Sequence, residues 1–141
     1  MSGAFHWVRV RLFCYATENE EKLVEVMRNL TGDVEFEIEE SEGLHGNSMT
    51  VFSADITKKR DAEKIFSNLG PELIAEIRGQ LEERIDDDCV FYLRLDKQMA
   101  VIGSYKVAHH GDVLSLTAKI VAHPARKEIA VKKMDDFLQS L

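Results

Sequence analysis

The stretch Leu93-Arg94-Leu95-Asp96-Lys97-Gln98-Met99-Ala100 joins two runs of strand-forming residues, at 89–93 and 101–105. Branched and aromatic side chains dominate both runs, which predicts two strands with a polar join between them. The join lacks the small residues that usually close a tight turn. It carries a guanidinium, a carboxylate, an ammonium and an amide, from Arg94, Asp96, Lys97 and Gln98.

These four polar groups have two interpretations. Cationic groups bind phosphate, and amide or carboxylate groups bind base edges and sugar hydroxyls, so the set suits a nucleic-acid contact. The alternative is the polar end of a hairpin, with an ion pair between Arg94 and Asp96, since surface charge at turns is common. The residues alone leave both interpretations open, and the hairpin interpretation needs no ligand.

Outward from this stretch, the hydrophobic period alternates between the values typical of strand and helix. The predicted strands are 5–15, 34–39, 49–56, 89–95, 98–107 and 112–122. The predicted helices are 17–32, which begins with a Thr17/Glu20 capping box, then 58–69, 71–85 and 125–141. The order β-α-β-β-α-α-β-β-β-α predicts a single α+β domain over 1–141. In this two-layer sandwich, a largely antiparallel sheet carries helices on one face.

The first predicted strand has one apolar face and one mixed face. The mixed face combines aromatic residues with arginines and consists of Trp7, Arg9, Arg11, Phe13 and Tyr15. Such a face can stack on bases, or it can be a sheet surface that another element covers.

Charge and composition restrict the function classes. The net charge of −7 over 141 residues argues against non-specific nucleic-acid binding over the whole surface, although the clustered cations permit one basic face. The sequence shows no apolar run long enough to span a membrane and no secretory signal, which predicts a cytoplasmic protein without membrane partners. Cys14 and Cys89 lie in apolar runs and are expected to be reduced core residues.

Other motifs are weaker. In the loop Gly43-Leu44-His45-Gly46-Asn47, the glycines let backbone amides approach an anion that His45 and Asn47 could also contact, but a plain connecting loop is the alternative.

No histidine spacing resembles a zinc site, and no nucleophile motif is present. The run Asp86–Asp88 is the segment that a metal-dependent nuclease would use, but a solvated loop is the better interpretation of it. We therefore expect no enzyme, no catalytic residue and no cofactor.

Four segments together resemble a known family. They are Val8–Arg11 leading into 16–22, the acidic then Gly-Leu-His-Gly-Asn segment of 40–47, the Leu-Arg-Leu-Asp-Lys-Gln segment of 93–98, and Ala122-His123-Pro124-Ala125-Arg126. The chain is similar, over essentially its whole length, to a family of small archaeal proteins described as predicted exosome subunits or RNA-binding proteins. The 93–98 and 43–47 segments are the specific ones.

The resemblance implies a fold like that of the 5S-rRNA-binding protein of the large ribosomal subunit, and a role in RNA processing or degradation. It offers no catalytic residues. The candidate RNA contacts are the cationic and amide positions Arg9, Arg11, His45, Asn47, Arg94, Lys97 and Gln98. The arginines and Lys97 would hold phosphates, Asn47 and Gln98 would contact sugars or bases, and Phe13 or Tyr15 could stack.

The alternative function is a protein-interaction or assembly subunit that does not bind RNA directly. The acidic strand 33–39 would then meet a basic protein partner, or the terminal helix or Trp7 would form the interface of a homodimer.

Overall fold

The structure, a computed structural model, describes residues 3–32, 34–42, 48–109 and 111–141. The strands are β1 (Phe5–Tyr15), β2 (Glu37–Glu42), β3 (Ser48–Ile56), β4 (Val90–Asp96) and β5 (Val113–Ile120). The helices are α1 (Glu20–Thr31), α2 (Lys59–Ser67), α3 (Pro71–Arg78), α4 (Leu81–Arg84), α5 (Lys97–Val101) and α6 (Lys127–Gln139).

The five strands form one open sheet in the order β2-β3-β1-β5-β4. Every neighbouring pair is antiparallel. The helices form a second layer, because their buried side chains join those of one sheet face in a single hydrophobic cluster. The predicted α+β class and two-layer architecture are therefore confirmed.

Aromatic rings fill the space between the sheet and the helices. The ring of Phe66 on α2 lies 4.8 Å from that of Phe5, 5.9 Å from Phe91 and 5.8 Å from Phe137, measured between centroids. The side chain of Phe66 is fully buried. Removing such a ring costs about 3–5 kcal/mol of stability, so this contact fixes α2 and α6 on the inner face of the sheet.

The strand predicted over 98–107 is wrong. Residues 97–101 form helix α5 instead, and the Asp96 carboxylate caps it by accepting a hydrogen bond from the Met99 backbone N–H at 3.0 Å. The turn after α5 uses Gly103 at φ +83°, which favours glycine. The chain then returns beside β4, where the Asp96 N–H donates to Lys106 O at 2.8 Å and the Ala108 N–H donates to Arg94 O at 2.9 Å.

Two helix boundaries also differ from prediction. Asn19, not Thr17, is the N-cap of α1, and its side chain accepts a hydrogen bond from the Lys22 N–H at 3.3 Å. Glu18 accepts a bond from the Tyr15 N–H in the turn before α1, and the helix begins two residues later than the capping box implied. The helix predicted over 71–85 divides into α3 and α4 near Gly79.

The cysteine prediction is confirmed. Cys14 and Cys89 are both free thiols, and both are buried in the core.

Candidate functional site

The sheet face opposite the helices carries a mixed cationic, aromatic and hydroxyl surface. Residues on this face of β1, β5 and β4 are exposed or half-buried, whereas their neighbours on the strands are buried against the helices. We call this surface the open face and define it by Trp7, Arg9, Arg11, Phe13, Tyr92, Arg94, Ser115, Thr117 and Lys119.

The strand register places these side chains in rows across the sheet. Directly paired residues of antiparallel strands point to the same side, and neighbouring strands lie about 4.8 Å apart. The side chains of Arg11 and Arg94 therefore begin about 10 Å apart, with a serine between them. The two central rows are Arg11–Ser115–Arg94 and Arg9–Thr117–Tyr92.

Two of the three guanidiniums are available to a ligand. Among the described residues, none accepts a hydrogen bond or forms an ion pair with the guanidinium of Arg11 or Arg94, and both side chains are exposed. Arg9 donates to Asp55 at 2.6 Å, but both side chains are about half exposed, at 47% and 58%. An ion pair this exposed contributes at most about 1 kcal/mol, so an incoming anion can compete for Arg9.

Aromatic rings lie beside the guanidiniums. The Arg9 guanidinium lies over the Trp7 ring at 5.3 Å, and that of Arg11 lies over the Phe13 ring at 5.8 Å. Tyr92 is 48% exposed. Each of these contacts leaves part of a planar surface open to solvent, so the open face combines sites for anions with surfaces for stacking.

The Tyr92 ring is fixed by its hydroxyl group. The hydroxyl donates a hydrogen bond to the Asp86 carboxylate at 3.0 Å, and this bond raises the pKa of Tyr92. The same carboxylate accepts bonds from the backbone N–H groups of Asp88 and Val90. Burial alone would raise the pKa of Asp86, but these three bonds outweigh it and lower the pKa. Asp86 therefore has a structural role in this turn, which supports Tyr92.

Lys97 lies in a different environment. Its side chain is fully buried, and its ammonium lies 2.6 Å from Glu18 Oε1, 2.7 Å from Asp112 Oδ1 and 2.8 Å from Phe13 O. Burial lowers the pKa of Lys97, but the hydrogen bonds to Asp112 and Glu18 outweigh burial and hold the pKa above its ordinary value. The ammonium is therefore charged and fully coordinated.

Gln98 completes this arrangement, which we call the lysine clamp and define by Glu18, Lys97, Gln98 and Asp112. The Gln98 amide donates to Glu18 Oε2 at 3.2 Å and to Asp112 Oδ2 at 3.1 Å. The clamp ties the turn after β1, the start of α5 and the residue before β5 together. It holds the ends of the three strands that carry the open face.

The structure therefore divides the predicted contact residues into groups. Arg9, Arg11 and Arg94 share the open face, whereas Lys97 and Gln98 belong to the lysine clamp. In this conformation the Lys97 ammonium is not accessible to a phosphate. His45 and Asn47 lie outside the described residues.

No motif in the sequence indicated four members of the open face: Tyr92, Ser115, Thr117 and Lys119. These residues alternate with buried apolar residues along β4 and β5, and this alternation does indicate that they lie on the outer side of the sheet. The pairing of β5 between β1 and β4, which brings them beside the arginines, has no local signal in the sequence.

The described ranges lack two further kinds of feature. There, no group of three histidine, cysteine or carboxylate side chains is arranged to hold a metal ion. The same residues include no helix that is both long and apolar enough to cross a membrane.

Comparison with known proteins gives matches along the chain. A family model described as RNA binding matches residues 7–120. The protein named RNA-binding protein PAB1135, from Pyrococcus abyssi, is 38% identical over 144 aligned positions, which cover 95% of this chain and 94% of that protein.

Solved structures of DUF54 proteins share the fold. Mth689 from Methanothermobacter thermautotrophicus is 33% identical, with a TM-score of 0.80 and coverage of 96% of this chain and 98% of the other. AF2318 from Archaeoglobus fulgidus is 29% identical, with a TM-score of 0.82 and coverage of 94% and 99%. The likeness therefore concerns the whole fold and not one motif.

Proposed function

This chain belongs to the RNA-binding family, and we propose that it is a non-catalytic RNA-binding protein whose open face holds the RNA. The observation that carries this proposal is the row Arg11–Ser115–Arg94, in which two exposed guanidiniums flank a hydroxyl group. Guanidiniums bind phosphate oxygens in pairs of parallel hydrogen bonds, and a serine hydroxyl can both donate to and accept from a ribose 2′-hydroxyl.

Lys97 and Gln98 act in this proposal as positioning residues. The Lys97 ammonium binds the Phe13 carbonyl at the end of β1, and the Lys97 backbone directly follows β4. The lysine clamp thus fixes β1 and β4 relative to each other, and with them the separation between Arg11 and Arg94. His45 and Asn47 stay predicted RNA contacts.

The negative net charge supports a restricted site. Because non-specific RNA binding depends on cation density, a chain with net charge −7 binds RNA only where cations are concentrated. Beside the open face, on β3, the carboxylate of Asp55 binds Arg9, and the acidic strand β2 lies one strand further out. RNA is therefore directed toward β1, β5 and β4.

We place this RNA binding in RNA processing or degradation, as an accessory to an exosome, because of the resemblance of the 93–98 segment to that family. Recovery of exosome subunits with the tagged protein, resistant to nuclease treatment, is the expected result. Recovery that depends entirely on intact RNA would contradict a direct association.

The test of RNA binding is fluorescence anisotropy with a labelled unstructured RNA and a labelled hairpin RNA, at about 50 and 200 mM salt. The variant Arg11→Ala/Arg94→Ala removes two charge-assisted contacts and is expected to weaken binding roughly 100-fold. The salt slope of log K should become shallower by roughly 1.4.

The matched control is Arg28→Ala/Arg60→Ala, which removes the same charge from exposed positions on α1 and α2. It should retain affinity within about twofold, because salt-screened charges outside the site contribute little. Equal losses in the two double variants would overturn the placement on the open face, and no RNA binding by the wild type would overturn the function itself.

The proposal of no catalysis has its own test. Labelled RNA incubated with the protein and Mg²⁺ or Mn²⁺ should remain intact. Cleavage that disappears in an Asp87→Asn/Asp88→Asn variant would contradict the proposal and favour a nuclease.

One observation favours a second candidate function, that of an assembly subunit. β2 lies at the edge of the sheet, and its Ile38 side chain is 56% exposed between glutamates. An edge strand of this kind can pair with an extended basic segment of a protein partner. Anisotropy with a labelled, extended, lysine-rich peptide should show binding that Ile38→Lys weakens, and no binding of that peptide at any protein concentration would count against this candidate.

A further inference from the structure

The arrangement of the open face carries information about the form of RNA it accepts. Trp7 and Phe13 each lie under an arginine guanidinium, and Tyr92 lies in the row that contains Arg9. Aromatic rings therefore flank the cations on a single surface: Trp7 and Phe13 lie at the two ends of the pair Arg9 and Arg11 on β1, and Tyr92 lies next to Arg94 on β4. The planar groups thus border the positions that hold phosphates.

Only unpaired bases can stack on such planar groups. In a duplex, each base is stacked between its neighbours, and side chains contact mainly the backbone and the edges of the groove. In a single strand the bases can separate and stack on aromatic rings or on guanidinium planes. A surface that recognised a duplex would gain nothing from exposed rings beside its cations.

The charge on the open face supports the same conclusion. Binding to a duplex by phosphate contacts alone requires many cations along two strands. The open face has three guanidiniums and one ammonium, that of Lys119, which donates a hydrogen bond to the Asp88 carbonyl. Asp55 and Asp86 add negative charge on either side. Phosphate contacts alone are therefore too few, and stacking must supply a substantial part of the affinity.

We infer that the open face binds single-stranded RNA, with bases stacked on Trp7, Phe13 and Tyr92 and phosphates held by Arg9, Arg11 and Arg94. This inference rests on the proposed function and specifies its ligand. Ser115 and Thr117, between β1 and β4, lie where a 2′-hydroxyl or a base edge would pass. The strand of RNA crosses β1, β5 and β4.

The chain provides its own probe for this inference. Trp7 is the one tryptophan in the sequence, and it lies on the open face. A base stacked on an indole ring quenches its fluorescence, whereas a phosphate contact at a distance does not. The experiment titrates the full chain with an unstructured mixed-sequence RNA of about 12 nucleotides, alone and annealed to its complement. Tryptophan emission and anisotropy are recorded together.

We expect the single strand to bind at least about tenfold more tightly than the duplex, and to quench Trp7. The variant Tyr92→Ala should weaken single-strand binding roughly 5- to 150-fold, the range for loss of one stacked base. Tyr92→Phe keeps the ring and should recover most of the affinity that Tyr92→Ala loses. The control Ile102→Ala removes an exposed apolar side chain outside the open face, so its affinity should stay within about twofold of the wild type.

The outcomes separate this inference from the proposed function. Duplex binding as tight as single-strand binding, or single-strand binding without quenching of Trp7, overturns the inference and leaves RNA binding intact. A Tyr92→Ala variant that binds single strands like the wild type contradicts stacking at that position. Failure of both RNAs to bind at low salt overturns the proposed function as well.

Discussion

Arg94 and Lys97 are three residues apart in one short motif, yet their environments are opposite. The Arg94 guanidinium is exposed on the open face and has no partner among the described residues. The Lys97 ammonium is fully buried and is bound by two carboxylates and a backbone carbonyl. Strand register determines this difference, because Arg94 is on the outer side of β4, whereas Lys97 follows the end of that strand. Two cations that look alike in sequence therefore have separate roles, one in binding and one in stability.

The largest effect is expected from Lys97→Met, which retains much of the apolar stem and removes the charge. Glu18 and Asp112 then lose the ammonium that both carboxylates bind, and the free energy of unfolding should fall by about 3 kcal/mol. Urea denaturation measures this change. Lys106→Met, at an exposed position, is the matched control and should change stability by less than about 0.5 kcal/mol. If Lys97→Met and Lys106→Met are equally stable, Lys97 has no special structural role, and the distinction between Arg94 and Lys97 is wrong.

A smaller and opposite pattern is expected from Arg94→Ala. The side chain is exposed, so the free energy of unfolding should change by less than about 0.5 kcal/mol. RNA affinity should fall about tenfold, because one charge-assisted contact is lost. Anisotropy and urea denaturation on the same preparation measure both quantities. If the free energy of unfolding falls but RNA affinity does not, Arg94 has a structural role, as Lys97 does, and not a role in RNA binding.

The smallest effect is expected in alkaline solution. The pKa of Lys97 is raised in the folded state, so its contribution to stability is complete below the ordinary value of 10.5 and is lost as pH rises through the folded-state pKa. The stability difference between wild type and Lys97→Met should therefore be constant at neutral pH and should shrink above about pH 10.5, by less than about 1 kcal/mol over the range in which the protein stays folded. A stability difference that increases with pH would contradict the stabilising role of the lysine clamp.

Local patterns in the sequence predicted most of the fold. The alternation in 5–15 and 49–56 identified β1 and β3, and the helical spacing in 58–69 and 125–141 identified α2 and α6. The strand predicted over 98–107 failed because its apolar residues have no clear period. Asp96, followed by Lys97, Gln98, Met99 and Ala100, was a readable cap and helix start that the flanking strand-like runs outweighed.

The candidate site was predictable only in part. The mixed face of β1 indicated Arg9 and Arg11, since alternation alone separates them from Val8 and Val10. The burial of Lys97 depends on Glu18 and Asp112, which are distant in sequence and meet only through the sheet topology. No local pattern distinguishes a lysine with such partners from one that is exposed.

The two edges of the sheet have a consequence for solubility. The edge of β4 is covered by residues 106–108, whose backbone groups pair with Arg94 and Asp96. The opposite edge, β2, has exposed glutamates at 37, 39 and 40, which repel the same strand of a second molecule. Identical chains therefore have difficulty stacking edge to edge into fibrils, even when the protein is concentrated or crowded along one RNA.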